Sequence, residues 1–324
     1  MFMRRGIQAL FLILVSSTSV FPQLPDFYKE VDRVTWVVDD LTKTLDGWRS
    51  LGFQDMQEFG EVDLTNEQYR GQPVDARARI AIGRLGSVNV IWLQPVSGTS
   101  LYSDFLKKKG PGIIGLTHRA PTITALENEV SRLSGLGVGV LAKGTIPTGA
   151  GEITYVDFDT ERDGKYILGV IHYPADMLPD STPRGPGNLK LSQYAFVVKD
   201  LEQVSAYWQK LGFPAMSVTH GLLTNLKHRG QPGQFDQKLG WQRHGNIVYE
   251  WILPLKGPPF MKSTSPLTEK VFTTSPSMLT IWTRSVLTGP RRGIRSFSQA
   301  DGGRRANPGP GGLRMRIQQL PAGS

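Results

Sequence analysis

Apolar side chains near residue 30 follow first the period of a β-strand and then that of an α-helix. Alternate positions of residues 31–38 lie on opposite faces of the predicted strand, with Val34, Trp36 and Val38 on one face and Arg33, Thr35 and Val37 on the other. The next apolar positions recur at helical spacing, at Leu41, Leu45, Trp48 and Leu51. Asp39 or Asp40 is expected to cap this helix, because a short carboxylate accepts hydrogen bonds from free N–H groups, and Gly52 is expected to end it. Strand-like runs near 54–64, 75–84 and 87–95 complete a βαβββ module.

The same pattern returns in the second half of the chain. Two segments recur 160 residues later, 37–41 at 197–201 and the Leu-Gly-Phe of 51–53 at 211–213. The Arg-Gly-Gln-Pro at 70–73 recurs at 229–232, which is 159 residues later. A separation that changes by one residue is typical of a repeated module with a single loop deletion. We interpret Arg-Gly-Gln-Pro as a turn, because Gly permits positive φ and Pro is rigid.

A shorter relative of the module lies between the two copies. It predicts a strand over 113–120, a helix capped by Thr122, and a hairpin around Arg162-Asp163-Gly164. The whole chain is therefore divided into a leader at 1–23, a first paired domain at 30–174 with modules 30–97 and 112–174, a Pro-rich linker at 175–188, a third module with a partial fourth at 189–283, and a tail at 284–324.

The fourth module is expected to be incomplete. Met278–Ser285 is predicted to be its first strand, but no capped amphipathic helix follows. Residues 286–324 are rich in Gly, Pro and Arg, which bury too little apolar surface to order a segment. The tail is therefore predicted to be disordered.

The charge distribution argues against a nucleic-acid-binding protein. The chain has 324 residues and a formal net charge of +9, but most of the excess lies in the tail, which carries eight arginines and only Asp301 as an acid. Two further arginines lie in the leader, so the body between is neutral, whereas a nucleic-acid footprint is a basic patch on a folded face. The chain has no cysteine, which excludes disulfides and Cys-based metal sites.

The N-terminus has the pattern of a secretory signal peptide. Arg4 and Arg5 precede an apolar run at 7–15 that only Gln8 interrupts, and small residues follow at 16–19. The run is too short to span a membrane, so we expect export to the periplasm or the extracellular space and no transmembrane anchor. A buried N-terminal strand is the alternative interpretation.

The chain resembles the vicinal oxygen chelate superfamily over about residues 30–255. The resemblance lies in the repeated order of a strand, Val-x-Asp-Leu, a helix that carries an aromatic residue, Leu-Gly-Phe and three closing strands. That superfamily includes glyoxalases, bleomycin-resistance proteins, methylmalonyl-CoA epimerase-like proteins and extradiol dioxygenases. The resemblance implies an α+β fold of tandem βαβββ modules that pair into curled mixed sheets around a cavity. It also implies that the third module pairs with the partial fourth or, in a homodimer, with a second chain.

The resemblance implies a divalent metal, but the usual ligands are missing. The family's first-strand His falls at Arg33, Gly115 and Gln193 in the three modules. Its last-strand carboxylate falls at Ile91, Val170 and Glu250, so Glu250 is the only residue that matches the family at a metal position. We therefore expect no standard metal site, although a divalent metal at a non-standard site stays open.

Arg33 is the leading candidate for ligand recognition. The resemblance directs it into the cavity beside Thr35, with Thr117 and Arg119 nearby on the first strand of module two. A guanidinium offers a planar fork for a carboxylate or phosphate, so an anionic small molecule is the expected partner. The alternative is a structural ion pair of Arg33 with Asp157, Asp159 or Glu152.

Glu250 and His118 are the candidate catalytic residues. Glu250 serves either as a base or metal ligand, with Gln193 as a neighbouring ligand, or as the partner of Arg229 or Arg243 in a buried ion pair. His118 lies three residues past the family position and is either a base or ligand or a packed core histidine. Three functions are left open, namely a metal-free binder of small anions, a metal-dependent lyase, isomerase or dioxygenase, and an interaction protein that uses its basic tail.

Overall fold

The computed structural model describes residues 23–64, 66–85, 88–175, 191–228, 231–256, 270–274 and 281–282. The signal peptide, the Pro-rich linker and the Arg-rich tail proposed from the sequence lie outside these residues, apart from Gln23 and Ala175. Within the described residues, no helix combines the length and the apolar character that crossing a membrane requires.

The first half of the chain forms two modules and a helix between them. A 3-10 helix, η1, covers Asp26–Lys29. The first module consists of β1 (Arg33–Val37), α1 (Leu41–Ser50), β2 (Met56–Asp63), β3 (Glu67–Tyr69), β4 (Gln72–Pro73), β5 (Ala76–Leu85) and β6 (Val88–Gly98). After α2 (Leu101–Lys109), the second consists of β7 (Gly112–Arg119), α3 (Ile123–Gly135), β8 (Val140–Thr148), β9 (Gly151–Phe158), α4 (Glu161–Gly164) and β10 (Ile167–His172).

These strands form one curled ten-stranded sheet in the order β2-β5-β6-β1-β7-β10-β9-β8-β3-β4. The first strands of the two modules, β1 and β7, are antiparallel neighbours at its centre, and each is parallel to the last strand of its own module. The short β3–β4 hairpin leaves the first module and pairs with β8 of the second. The hairpin thereby joins the two modules a second time at the far edge of the sheet.

The second half of the chain repeats this topology in a six-stranded sheet. Its elements are β11 (Leu191–Val197), α5 (Leu201–Lys210), β12 (Ser217–His228), β13 (Gln231–His244), β14 (Ile247–Lys256), β15 (Lys270–Thr274) and β16 (Ile281–Trp282). The strand order is β12-β13-β14-β11-β15-β16. The structure therefore has the α+β fold of tandem βαβββ modules in curled mixed sheets that the sequence predicts.

The partial fourth module begins earlier than predicted. β15 is antiparallel to β11, which is the position that β7 holds beside β1. The predicted strand Met278–Ser285 is wrong for that position, because its described part, β16, pairs with β15 instead. The prediction relied on apolar content, whereas backbone pairing with β11 selects Lys270–Thr274.

Local sequence signals explain most helix ends. The Asp40 carboxylate accepts a hydrogen bond from the Lys43 N–H at 3.0 Å, and Asp200 caps α5 in the same way at 2.9 Å. The Thr122 hydroxyl caps α3, as predicted. The hairpin of β9 and β10 is also confirmed, but the connection around Arg162-Asp163-Gly164 is the short α4, and Lys165 follows it with a left-handed φ of 71°.

The two faces of the ten-stranded sheet pack against different partners. One face is covered by α1, α3 and η1 and forms the larger apolar core, which includes Trp36, Trp48 and Trp92. The opposite face, here called the α2 face, is covered by α2 and the β3–β4 hairpin over a smaller core that includes Val37 and Phe105. The α2 helix was not predicted, since residues 101–109 continue no repeat of the module.

The second sheet docks on the larger core through stacked aromatic rings. Tyr166 is 1% exposed and stacks on Trp208 at 4.7 Å and on Phe196 at 5.0 Å between ring centroids. The Trp208 indole N–H donates to the Gly164 carbonyl at 3.1 Å. A Cβ on Gly164 would lie 2.6 Å from that indole ring, so only Gly allows this approach. The third module thus packs against the larger core and does not cover the α2 face.

Replacing Tyr166 with Ala is expected to lower the free energy of unfolding by about 3–5 kcal/mol, because the change removes a fully buried ring from the joint between the two sheets. Urea unfolding followed by tryptophan fluorescence measures the loss. Phe59→Ala is the matched control, since Phe59 is 48% exposed, and a change of about 0.5 kcal/mol is expected there. Equal losses in the two variants would contradict the role of Tyr166.

Candidate functional site

Strand register places a row of polar side chains across the centre of the α2 face. Arg33 of β1 lies opposite Thr117 of β7, Thr117 opposite Gly169 of β10, and Gly169 opposite Asp157 of β9. Side chains of paired residues share one face of a sheet, so these positions line one strip. Thr35 lies two residues after Arg33 along β1, opposite Gly115, and so extends the strip along that strand.

Arg33 carries the positive charge of this strip without an ion pair. Its neighbours Tyr173, Asp32, Tyr102 and Asp157 act on it electrostatically, but no salt bridge joins Arg33 to a carboxylate in the described part of the chain. The Nε atom is buried and has no hydrogen-bond partner among the described residues. Burial is the largest effect and lowers the pKa of Arg33, but Tyr173, Asp32, Tyr102 and Asp157 together outweigh it, so the guanidinium stays charged.

Asp157 lies on the same strip as a buried carboxyl group. Burial raises its pKa to about 6, and the positive charge of Arg33 limits the rise. A Cβ on Gly169 would lie 2.7 Å from the Asp157 Oδ1 atom and 2.8 Å from the Thr117 Oγ1 atom. The missing side chain at Gly169 therefore gives both oxygens the space they occupy.

Glu67 enters the α2 face from the β3–β4 hairpin. It lies opposite Gly144 of β8, which lies opposite Tyr155 of β9, in the row adjacent to that of Asp157. The Tyr155 hydroxyl donates to the Glu67 Oε2 atom at 2.8 Å. Glu67 is 3% exposed, and burial raises its pKa to about 7, although Tyr155 and Tyr102 partly offset that rise.

Arg119 and Asp32 form the outer part of the site. The Tyr173 hydroxyl donates to Asp32 Oδ2 at 2.9 Å, while Arg119 Nε lies 3.9 Å from Asp32 Oδ1. The Arg119 side chain is 38% exposed and Asp32 only 7%. Arg119 is therefore a second cation at the solvent side, with one weak ion pair.

The structure brings four of the predicted ligand-binding residues to one face. Arg33, Thr35, Thr117 and Arg119 all occupy positions of the α2 face, as strand alternation implies. Their role in binding stays a prediction. Of the three carboxylates offered as structural partners for Arg33, Asp157 is the one that lies near it, whereas Glu152 and Asp159 are exposed.

His118 lies on the opposite face of β7, away from Arg33. It is fully buried beside the Tyr28 ring, at 4.8 Å between centroids, and its Nδ1 atom lies 2.6 Å from the Glu30 carbonyl oxygen. Burial lowers its pKa to about 4, opposed by that backbone contact, so the ring is neutral at pH 7. This is the packed core histidine that the sequence left as an alternative, and no position on the α2 face is available to it.

Glu250 and Gln193 belong to the second sheet. The Gln193 Nε2 atom donates to Glu250 Oε2 at 2.7 Å, and burial raises the pKa of Glu250 while Gln193 opposes the rise. The proposed pairing with Arg229 lies outside the described residues, and no salt bridge to Arg243 is present among the described ones. The two residues at the family's metal positions in module three are thus hydrogen-bonded to each other.

The metal position of module two needs a correction. Val170, counted from Pro174, is fully buried in the larger core on the opposite face, and Gly169 is the residue that faces Thr117 and Asp157. One added residue before Pro174 accounts for the shift. Within the described ranges, no three His, Asp or Glu side chains converge closely enough to hold a metal ion.

Sequence reasoning missed Glu67 and the tyrosines at 102, 155 and 173. They reach the site from α2, from a hairpin that crosses between modules and from the outer strands, so no local spacing relates them to Arg33. The turn at 70–71 was the available signal. Arg70 and Gly71 have φ of 53° and 76°, which makes a tight hairpin there and returns β4 alongside β3, the strand that carries Glu67.

Comparison with solved structures finds proteins of related fold at low sequence identity. A hypothetical protein from Bacillus halodurans C-125 is 15% identical over 46% of this chain and 98% of its own, with a TM-score of 0.34. A variant of 4-hydroxymandelate synthase from Streptomyces coelicolor is 15% identical over 70% of this chain and 63% of its own, with a TM-score of 0.47. Methylmalonyl-CoA epimerase from Mycobacterium tuberculosis is 19% identical over 44% of this chain and 86% of its own, with a TM-score of 0.30.

No protein-family model matches the chain, and no curated protein matches its sequence. The strand order of the two sheets agrees with the βαβββ modules that the resemblance implies, and the matches to solved structures add nothing finer. Whatever this chain binds must be inferred from its own residues.

Replacing Glu67 with Gln is expected to change how stability depends on pH. The pKa of Glu67 is raised to about 7 in the folded protein, so its contribution is fully present below about pH 4.5 and is lost as the pH rises through 7. The Gln variant lacks this loss. Its free energy of unfolding relative to that of the wild type should therefore rise by up to about 3 kcal/mol between pH 4.5 and 7. Urea unfolding at several pH values measures the difference.

The matched control is Glu152→Gln, which changes an exposed glutamate of β9. Its stability should stay within about 0.5 kcal/mol of the wild type, as is usual for a substitution on the surface. A pH-independent difference between Glu67→Gln and the wild type would show that Glu67 ionises in the folded protein as it does in the unfolded chain.

Proposed function

We propose that this protein binds a small anionic molecule on the α2 face of its first sheet, with Arg33 as the anchoring residue. Arg33 provides the charge, Thr35 and Thr117 provide hydroxyl groups on the same strip, and Arg119 provides a second cation at the solvent side. The fold supports a small-molecule-handling protein of the glyoxalase, bleomycin-resistance and dioxygenase type.

The observation that carries the proposal is the partly buried Arg33 side chain, whose Nε atom is buried and which has no salt bridge among the described residues. Buried charges in proteins are usually paired, and buried polar atoms are nearly always hydrogen-bonded. Arg33 has neither an ion pair nor, at Nε, a hydrogen bond among the described residues. A bound carboxylate or phosphate supplies both at once, through the planar fork of donors that a guanidinium presents.

A metal-dependent lyase, isomerase or dioxygenase is the second candidate. It is favoured by Glu250, a largely buried carboxylate at the family's last-strand position, next to Gln193 at the first-strand position. Two such side chains do not supply the three or four converging donors that a divalent metal requires. This donor set therefore does not fit the family's metal, and no catalytic step is assigned to it.

Three other expectations stay proposals. They are export through the N-terminal segment, pairing of two copies through the third module, and use of the basic tail in protein interactions. Metal analysis of the purified protein separates the two leading functions, since about one transition-metal ion per chain favours the enzyme.

Replacing Arg33 with Ala is expected to weaken the binding of small carboxylates and phosphates about 10- to 100-fold, because a hydrogen bond to a charged group is lost. Thermal shift with a panel of small carboxylates and inorganic phosphate detects the ligand in the wild type, and calorimetry then measures affinity in the variants. Arg33→Lys should retain part of the affinity, since it keeps the charge but loses the fork.

Arg77→Ala is the matched control. Arg77 also lies on a strand of the first sheet, but its side chain is 52% exposed and pairs with Glu61 and Asp63. Unchanged affinity in Arg77→Ala with a large loss in Arg33→Ala supports the proposal. Equal affinity in Arg33→Ala and the wild type would remove Arg33 from any binding site.

A further inference from the structure

The outer edge of the second sheet is formed by β12. The strand order ends there, so no described strand pairs with the outer side of β12. Its pairing with β13 is regular from Ser217 to Leu223. All residues at 217–222 except Gly221 are exposed, and none of the six is Pro, Lys, Arg, Asp or Glu. A regular, uncharged edge of this kind is a template for pairing with another strand.

The matching edge of the first sheet, β2, is protected against such pairing. It carries Glu58, Glu61 and Asp63 within its eight residues. Its pairing with β5 also shifts between Glu58 and Gly60, where Gly60 has φ of 70°. Charged side chains and bulges are the usual devices that keep an edge strand from pairing with other chains. β12 lacks both devices over 217–222, which indicates that this edge has a partner.

A groove beside β12 is open in the third module and closed in the first. Arg49 of α1 forms a salt bridge with Glu58 of β2 at 2.9 Å, which joins the helix to the edge strand. The residues 160 positions later are Gln209 and Val218, which form no ion pair because neither is charged. They line an open groove of about 530 Å³ between α5 and β12. This side of β12 is therefore accessible to a partner.

The exposed apolar side chains of β12 are spaced for contact with a second copy of the same strand. Val218 is 52% exposed and Leu222 is 55% exposed. They flank His220 by two residues on either side, so strand alternation places all three on one face. That face carries α5, since a Cβ on Gly240, opposite Val218, would contact Leu201 of α5. In an antiparallel pair centred on His220, Val218 of each copy lies opposite Leu222 of the other.

Two opposite charges on α5 fit the same symmetry. Glu202 and Lys210 are exposed and line the groove at the two ends of the helix. They are separated by about 12 Å along the helix axis, with Ala206 midway between them. A twofold axis beside β12 makes the two copies of α5 antiparallel, which brings Glu202 of each copy toward Lys210 of the other. The residues 160 positions earlier, Thr42 and Ser50 of α1, are uncharged.

We propose that β12 and α5 form the interface of a homodimer, in which β12 pairs antiparallel with β12 of a second copy and the two six-stranded sheets become continuous. A twofold interface uses the same surface on both copies, so that surface has to be complementary to itself. The apolar pair and the charge pair both meet this condition. The interface differs from the module pairing that the resemblance implies, which would use the side of β11 that β15 occupies. It does not depend on the proposed function.

Charge reversal with rescue tests this interface. Analytical ultracentrifugation of the purified full-length protein over a series of concentrations measures the dissociation constant of the dimer. Glu202→Lys and Lys210→Glu each place two pairs of like charges across the axis, so each should raise that constant about tenfold. The double variant restores opposite charges and should return the constant to near the wild-type value. Lys43→Glu, at an exposed position of α1, is the control and should leave it unchanged.

A cross-link tests the register of the two strands. The chain has no cysteine, so His220→Cys introduces a single thiol in each copy. Directly opposite residues of an antiparallel pair have Cβ atoms about 5 Å apart, so a short bismaleimide should link this variant into covalent dimers. Phe59→Cys is the matched control on β2, since Phe59 is 48% exposed, and should give no covalent dimer.

A dimer that each single reversal weakens and the double variant restores supports the interface. A chain that is monomeric at every concentration would overturn it, because β12 would then pair with no second copy. A dimer that none of the reversals affects has its interface elsewhere and would overturn it as well. If circular dichroism shows that His220→Cys is not folded, the reversals on the exposed surface of α5 still decide between these outcomes.

Discussion

A positive charge that is partly buried on the α2 face is the constraint on which the rest of the site depends. Moving an ion from water into a protein interior costs several kcal/mol unless partners replace its hydration. Arg33 has nearby carboxylates and phenols but no ion pair within the described residues. The surrounding groups therefore reduce the desolvation cost of the Arg33 charge but do not remove it. A bound anion would offset the rest of that cost, which favours its binding.

The face of the first sheet opposite the α2 face supplies the stability that a partly buried charge requires. Trp36, Trp48 and Trp92 form an apolar core beneath α1, and Trp208 of the third module joins it by stacking on Tyr166 of the second. Stability is thus concentrated on one face of the sheet, because strand alternation sends every second side chain there. The α2 face is left with a smaller apolar core and can carry buried polar groups that weaken the fold, a division common at functional sites.

The sequence predicted the modules well, and the reason is periodicity. Strand alternation placed Arg33 and Thr35 on one face, and the pairing of β1 with β7 brought Thr117 opposite Arg33. The capping residues Asp40 and Asp200 were readable because capping is a local interaction. Such features depend on neighbours within a few residues, which a sequence displays directly.

What the sequence could not show depends on long-range pairing. Glu67 reaches the site only because β3 pairs with β8, about 75 residues away along the chain. The metal position of module two moved from Val170 to Gly169 because one residue precedes Pro174 that the first module lacks, and a shift of one residue reverses the face of a strand. The same rule puts His118 in the core although it adjoins Thr117.

The most direct test of an anion site at Arg33 is an NMR titration of the arginine Nε–H groups with lactate. Loss of one signal in Arg33→Lys identifies the Arg33 resonance. Binding at the α2 face predicts that this signal moves and saturates with added lactate, while the signals of exposed arginines such as Arg77 stay in place. Binding of lactate, detected by calorimetry, without movement of the Arg33 signal would contradict a site built on this guanidinium.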